Sequence, residues 1–530
     1  MMIISHSNLY IYIKRRIIFW KCFQNPLKSI MHIAIIKKNV TISAIYIENN
    51  VTILHLFLNN FVTTSLYILR KPLHYIAGDS MLYRKAYDYL QEWKNKPDKK
   101  ALLVTGARQI GKTYIIRKFA KENYKNFVEI NFITNPEASK IFDGDLNADT
   151  LIINLTAYTR KSLQNGKTLI FFDEIQECPS ARTAIKFLVD DGRFDYIESG
   201  SLLGVNYKEV KSYPVGYEEI YQMYPLDFEE FSIANGVQSE TIEYLRKCYE
   251  EKAEVSEAVH QSMLKLFRYY VIVGGMPAVV QKFTDTQDIG EILKVQNDIL
   301  ALYRQDISKY ADSNKEKIKN IFDMIPAQLN DKNRRFKLSD IKSSARMLRY
   351  ETSFNWLADA GVALPCYNIT EPKLPLELNL QNSLFKLFLC DTGLLCAASM
   401  GNIQFDILAG DLSVNMGSIL ENVFAQELVS KGFKLRYFNK KNIGEIDFVV
   451  QQGKKVVPLE IKSGNDFDKH KALDNVLSKA EWKIDRGIVF CKGNISSENN
   501  ITYLPWYMSM FFKQETLPEH LKVDLDIVNV

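Results

Sequence analysis

Residues 106–113 read Gly106-Ala107-Arg108-Gln109-Ile110-Gly111-Lys112-Thr113, an unbroken G-x-x-x-x-G-K-[ST] pattern. A loop that binds phosphate must turn its backbone N–H groups inward, and Gly106 and Gly111 permit that curl. Lys112 can reach the β- and γ-phosphates, and Thr113 offers a hydroxyl to Mg2+. Such a loop needs a strand before it and a helix after it. The apolar run ALLVT and the helix-like YIIRKFAKENY supply both, and the helix N-terminus adds a favourable partial charge. We expect all eight loop residues to contact a nucleotide, with ATP and Mg2+ as the cofactors.

Phosphoryl transfer also needs a carboxylate for the metal and a group that orients the attacking water. The segment TLIFFDE, residues 168–174, ends an apolar strand in two acids. Asp173 is the expected metal-side carboxylate and Glu174 the expected base. A strand at residues 194–197 runs into Glu198-Ser199-Gly200-Ser201, where Ser201 is chosen over Ser199 as the polar contact to the γ-phosphate or the attacking water. An arginine that stabilises transition-state charge is also expected. Arg108, Arg182 and Arg193 are candidates among which the sequence does not choose.

A second set of chemistry-bearing residues lies near the C-terminus. Glu445-Ile-Asp447 opens one short strand, and Pro458-Leu-Glu460-Ile-Lys462 closes the next after a turn at residues 451–453. Asp447 and Glu460 would face each other on adjacent antiparallel strands and share a divalent metal. Glu460 and Lys462 are two apart and point to one face, so Lys462 could polarise a water. Glu421, on the preceding helix, would complete the acidic set. The order helix, three strands, helix, strand resembles the PD-(D/E)XK nuclease fold.

The segments RKAYDYLQEWK, GARQIGKT, FFDEIQECP, ESGSLLG, YPLDFEEF and GGMPAVV resemble a family of bacterial and archaeal AAA-type P-loop ATPases. The resemblance covers about residues 81–500 and implies an ATPase module followed by a C-terminal region of unknown function. That family carries a Gly-Arg pair before the PL-x-x-x-EF stretch, where this chain has Pro214-Val-Gly-Tyr217. Between the two sets, residues 318–358 are expected to form three helices followed by an extended stretch, a winged-helix-like layout that the family shares. Arg346 and Arg349 on its second helix, and the Arg334-Arg335 pair before it, could meet DNA. A winged helix serves a protein partner equally well.

The formal net charge is +5 over 530 residues, but it is unevenly placed. Residues 1–80 hold nine Lys/Arg against Glu48 and Asp79, a net +7, which leaves the other 450 residues at −2. The balance therefore gives no broad polyanion-binding surface. The first 80 residues are rich in Ile and in other residues with A/T-rich codons, and show no sustained period. We read them as translation of DNA upstream of a start at Met81, and expect no regular structure. A membrane segment at residues 51–69 is the second reading, weakened by its His and Asn residues. A targeting peptide is the third, and its KRR follows the apolar stretch instead of preceding it. With a start at Met81 no membrane partner is expected. Seven scattered Cys without C-x-x-C spacing fit a reducing cytoplasm.

The expected fold class is α/β: a P-loop NTPase sheet with a helical lid, a winged-helix-like middle region and a restriction-endonuclease-like C-terminal module. The expected boundaries are 1–80 for the extension, 81–230 for the ATPase domain and 231–310 for lid and linker. They continue as 311–405 for the winged-helix-like region, 406–500 for the nuclease-like domain and 501–530 for a tail. The expected function is an Mg2+-dependent ATPase, with oligomerisation open, coupled to a module that cuts or binds DNA. The alternative is an ATP-gated switch with a silent nuclease-like domain.

Overall fold

The computed structural model describes residues 82–200, 214–310, 314–331, 335–337, 340, 350–400 and 416–515, and the backbone of six strands within residues 2–58. Those strands are β1 (Met2–Ser5), β2 (Asn8–Ile13), β3 (Arg16–Asn25), β4 (Lys28–Ile35), β5 (Val40–Ile47) and β6 (Val51–Leu58). They pair antiparallel in chain order, where the sequence pattern led us to expect no regular structure. The β-branched content of this stretch suits strands. Met1–Met81 forms one compact unit and Leu82–Val530 a second.

The second unit opens with α1 (Lys85–Lys94), then β7 (Ala101–Thr105), α2 (Lys112–Asn123), β8 (Asn126–Asn131) and α3 (Ala148–Thr159). It continues through β9 (Thr168–Asp173), α4 (Pro179–Asp191), β10 (Asp195–Ser199) and β11 (Glu218–Gln222). The sheet order is β11-β7-β10-β9-β8, with every pairing parallel. Every residue of β7 and β9 is buried, as expected of strands covered on both faces. Alternation sorts their side chains. Leu102, Val104, Leu169 and Phe171 enter one core, whereas Ala101, Leu103, Ile170 and Phe172 enter another with residues of α3 and α4. This is the α/β architecture of a P-loop NTPase, with its loop at the carboxyl end of β7.

Helices follow: α5 (Phe228–Ala234), α6 (Ser239–Glu251), α7 (Glu257–Val273), α8 (Pro277–Thr286), α9 (Ile289–Tyr310), α10 (Lys315–Asn330) and α11 (Glu351–Asp359). α5 begins at Phe228 because Asp227 caps it in a reciprocal capping box with Glu230. Of the expected winged-helix layout, α10, α11 and a ribbon of β12 (Ala363–Ile369) and β13 (Leu380–Leu389) are present. Arg334, Arg346 and Arg349 lie outside the described residues. The ribbon does not stand alone as a wing. It joins β14 (Arg436–Lys440) and β15 (Gly444–Ile446) in a sheet ordered β13-β12-β14-β15.

After α12 (Thr392–Met400) comes α13 (Met416–Ser430), buried on all sides from Met416 to Leu428. Its polar side chains are therefore bonded to neighbours. Asn422 holds both backbone groups of Leu389, Gln426 accepts from Thr392 N at 3.0 Å, and Glu427 accepts from Phe228 N at 2.8 Å. The last sheet contains β16 (Phe448–Gln452), β17 (Lys455–Ile461), β18 (Gly487–Cys491), β19 (Ser496–Glu498) and β20 (Ile501–Pro505), ordered β16-β17-β18-β20-β19. α14 (Lys471–Leu477) covers one of its faces, and Phe448, Leu459 and Phe490 meet α13 residues in the core of the other. The expected tail from residue 501 is instead partly core. β20 pairs with β18, and Trp506, Tyr507, Met508 and Met510 are buried.

Candidate functional site

The loop between β7 and α2 curls as the motif requires. Gly106, Gln109 and Gly111 all have positive φ, and a Cβ on Gly106 would stand 2.2 Å from the Met223 carbonyl oxygen. The ammonium of Lys112 lies inside the curl, donating to the carbonyls of Gly106 at 2.9 Å and Ala107 at 2.8 Å. Burial lowers its pKa to about 8, against the pull of Glu174 and Asp173. Ala107 and Ile110 are buried, so the loop presents its backbone.

Asp173 ends β9 as the centre of a polar cluster. Thr113 Oγ1 lies 3.2 and 3.3 Å from its two carboxylate oxygens, Asn131 Nδ2 donates at 2.8 Å, and Ser199 Oγ donates to Oδ1. A hydroxyl beside a buried carboxylate is the hard-oxygen donor set that suits Mg2+. Glu174, the next residue, takes the left-handed conformation at φ 56, which turns its side chain out of the strand direction. Gln176 Nε2 holds its carboxylate at 2.5 Å. The structure thus joins Lys112, Thr113, Asp173 and Glu174 in one site. Ser201 lies outside the described residues; Ser199, passed over in the sequence, touches Asp173.

The three candidate arginines separate clearly. Arg182 is buried against Glu218 at 3.0 Å, and Arg193 pairs with Asp191 and Asp149 away from the loop. Arg108 stays in the loop, with Nη1 2.5 Å from Asp306 Oδ1 on α9. The sequence missed Arg84, which braces the loop from behind. It donates to Ile110 O at 3.0 Å and Tyr224 O at 2.6 Å and pairs with Glu230. Its only sequence signal is a basic residue just before α1.

In the C-terminal sheet, Asp447 sits between β15 and β16, and accepts from Ile461 N at 2.8 Å. Register pairs Phe448 with Leu459, which sets Asp447 opposite Glu460 on the neighbouring strand. Lys462 Nζ lies 3.1 Å from Glu460 Oε2. Burial first, and then the charge of Asp447, push the Glu460 carboxyl up to about 7. Buried carboxylate oxygens on neighbouring strands are the hard donors that a divalent cation takes.

Glu421 departs from expectation. It is held by Lys386 of β13 at 3.0 Å, and the same ammonium, fully buried, pairs with Glu445 at 2.7 Å. The expected third ligand is thus engaged by a lysine from the ribbon. Among the described residues, no three His, Cys, Asp or Glu side chains are arranged to hold a metal ion. Nor is any described helix long and apolar enough to cross a membrane.

Three family models match successive parts of the chain: an AAA domain at residues 98–232, a domain of unknown function (DUF8612) at 264–404 and another (DUF4143) at 416–508. No curated protein matches. Among solved structures, the chain is similar to the Walker-type ATPase PABY2304 of Pyrococcus abyssi, at 14% identity and TM-score 0.35, over 60% of this chain and 96% of that one. It is also similar to the Orc1 protein of Aeropyrum pernix in complex with DNA, at 11% identity and TM-score 0.24, over 62% and 91% of the two chains. A third is a RuvB protein of Thermotoga maritima, at 15% identity and TM-score 0.25, over 53% and 87%. The AAA match coincides with the sheet and loop described above. This part of the chain is an AAA-type P-loop ATPase domain, a module that binds ATP.

Proposed function

We propose that the protein hydrolyses ATP with Mg2+ at the Lys112 loop, and that its nucleotide state acts on a nuclease-like C-terminal module. The observation that carries the first half is the Thr113 hydroxyl set against both oxygens of Asp173, with Glu174 next in the chain. Bound Mg2+ supplies charge neutralisation at the β- and γ-phosphates. Thr113 and Asp173 would hold it, the loop N–H groups and Lys112 would hold the phosphates, and Glu174 would take up the proton of the attacking water. Turnover should fall in Lys112→Ala and in Glu174→Gln.

The Asp447, Glu460 and Lys462 set supports the reading that the C-terminal module cuts a DNA phosphodiester with a divalent metal. Asp447 and Glu460 would hold the ion, and Lys462 would polarise the water. Arg334, Arg335, Arg346 and Arg349 would supply DNA contacts. The second reading, an ATP-gated switch binding a protein partner, draws on Lys386, whose ammonium already neutralises Glu421 and Glu445. Plasmid and linear DNA incubated with Mg2+ or Mn2+ separate the two. Metal-dependent cutting lost in Asp447→Ala and Lys462→Ala supports the nuclease; no cutting, or cutting that survives both changes, supports the switch.

A further inference from the structure

The turn after β9 brings the side chain of Gln176 back onto Glu174. Glu174 takes the left-handed conformation and opens a short 3-10 turn over Ile175–Glu177, closed by Glu177 N on Glu174 O and Cys178 N on Ile175 O, both at 3.0 Å. Ile175 is buried in the same core as Phe172, which anchors the turn. A carboxylate only accepts, so the Gln176 amide presents its nitrogen, and Nε2 donates to Glu174 Oε2 at 2.5 Å. The amide oxygen lies against the end of β10, where a Cβ on Gly200 would stand 2.6 Å from Gln176 Oε1. Gly200 N in turn donates to Val104 O at 3.3 Å, on the strand that leads into the phosphate loop. Among the described residues Gln176 Oε1 is buried without a donor, a cost in stability that packing alone does not explain.

We propose that Gln176 is the positioning residue for the base of this ATPase, its amide holding the Glu174 carboxylate toward the phosphate loop. This rests on the reading of the loop as an ATP-hydrolysing site. A glutamate side chain has several staggered rotamers, and taking a proton from the attacking water requires one of them. The direction in which Glu174 is held is visible at Lys112. Burial lowers the Lys112 pKa, and of the two acids that oppose burial Glu174 acts more strongly than Asp173. The base therefore faces the loop while Gln176 holds it. The amide is neutral, so it fixes the carboxylate without the competing positive charge that a lysine or arginine would bring. Gly200 bounds the other side of the amide, so the aim of the base depends on where the end of β10 lies, next to Ser199 and Asp173.

The test measures turnover and ATP binding together, in the full chain with Mg2+. Gln176→Ala should lower kcat by about tenfold to a hundredfold, the range for losing a hydrogen bond to a charged group, with ATP affinity unchanged. Gln176→Glu keeps the shape, removes the donor and adds a like charge, and should lose at least as much. Gly200→Ala, at a position outside the left-handed region, should also lower kcat, because its Cβ displaces the amide oxygen. Added to Gln176→Ala, it should cost nothing more, since the amide it meets is gone. In the Glu174→Gln background Gln176→Ala should leave kcat where it is, because Gln176 acts through Glu174. A further loss in that background, or a parallel fall in ATP affinity, would mark a merely structural role and overturn the proposal. Unchanged or raised kcat in Gln176→Ala, with Glu174→Gln impaired, would overturn it while leaving the ATPase reading intact. A wild-type chain without turnover would sink both.

Discussion

Asp173 organises the nucleotide site, and its three neighbours come from three different elements. Thr113 arrives on α2, Asn131 at the end of β8 and Ser199 at the end of β10, adjacent strand ends in a parallel sheet. A change at any of them should alter chemistry more than binding. Ser199→Ala is expected to slow turnover by about tenfold to a hundredfold, the worth of a hydrogen bond to a charged group, with nucleotide affinity nearly constant. Steady-state kinetics alongside ATP titration check this, and an unchanged kcat would remove Ser199 from the site. Lys112, Thr113, Asp173 and Glu174 were legible because each chemical role needs a fixed residue at a fixed spacing. Ser199 was not, because either serine of Glu198-Ser199-Gly200-Ser201 satisfies the pattern in the sequence, and only the structure sets Ser199 against Asp173. Lys386 was not legible at all. It comes from a strand some thirty-five residues before Glu421, and no local pattern marks a buried lysine.

At the scale of elements, the ribbon β12–β13 connects the two sites. Gly361, two residues before β12, lies so close to the loop that a Cβ on it would stand 3.0 Å from Ala107 N. At this same end of the pairing, Cys390 N donates to Val362 O at 2.9 Å, and Lys386 lies farther along β13. Asp391 follows directly and accepts from Gly275 N at 2.6 Å and Leu394 N at 2.9 Å, which ties α12 to the turn before α8. Burial pushes its carboxyl up to about 6, against those backbone donors. An unfolded Asp titrates near ~3.9, so between roughly pH 4 and pH 6 the folded chain binds the proton more tightly. Stability from this group is therefore greatest at low pH, falls as pH rises through that window by roughly 3 kcal/mol, and stays level above it. Urea midpoints across the window, compared with Asp391→Asn, should show that downward slope in wild type only. Parallel profiles would contradict it. The elements themselves were mostly readable from apolar runs and turns, as with β9 and β17. The strand at residues 363–369 was legible but its pairing with β14 was not, because an extended stretch after helices looks the same in sequence whether it stands free or extends a sheet.

For the molecule as a whole, the residues from Leu82 onward form one compact unit, so the expected modules are regions of a shared core. α13 shows why. A helix whose every face is buried must satisfy its Asn422, Gln426 and Glu427 internally, and their partners lie on β13, on α12 and on α5. The boundary drawn at residue 500 failed for a similar reason. Aromatic and Met residues at 506–512 have no helical or strand period, yet they fill the core between α7 and the last sheet. Net charge sharpened the functional reading without revealing any of this: the 450 residues after the N-terminal stretch are nearly neutral, so phosphate recognition must be local. The account stands most directly on ATP turnover by the purified chain with Mg2+, measured for wild type, Lys112→Ala and Glu174→Gln. Hydrolysis by wild type, reduced about a hundredfold or more in both variants, with Glu174→Gln still binding nucleotide, is the predicted result. Equal turnover in all three would contradict it.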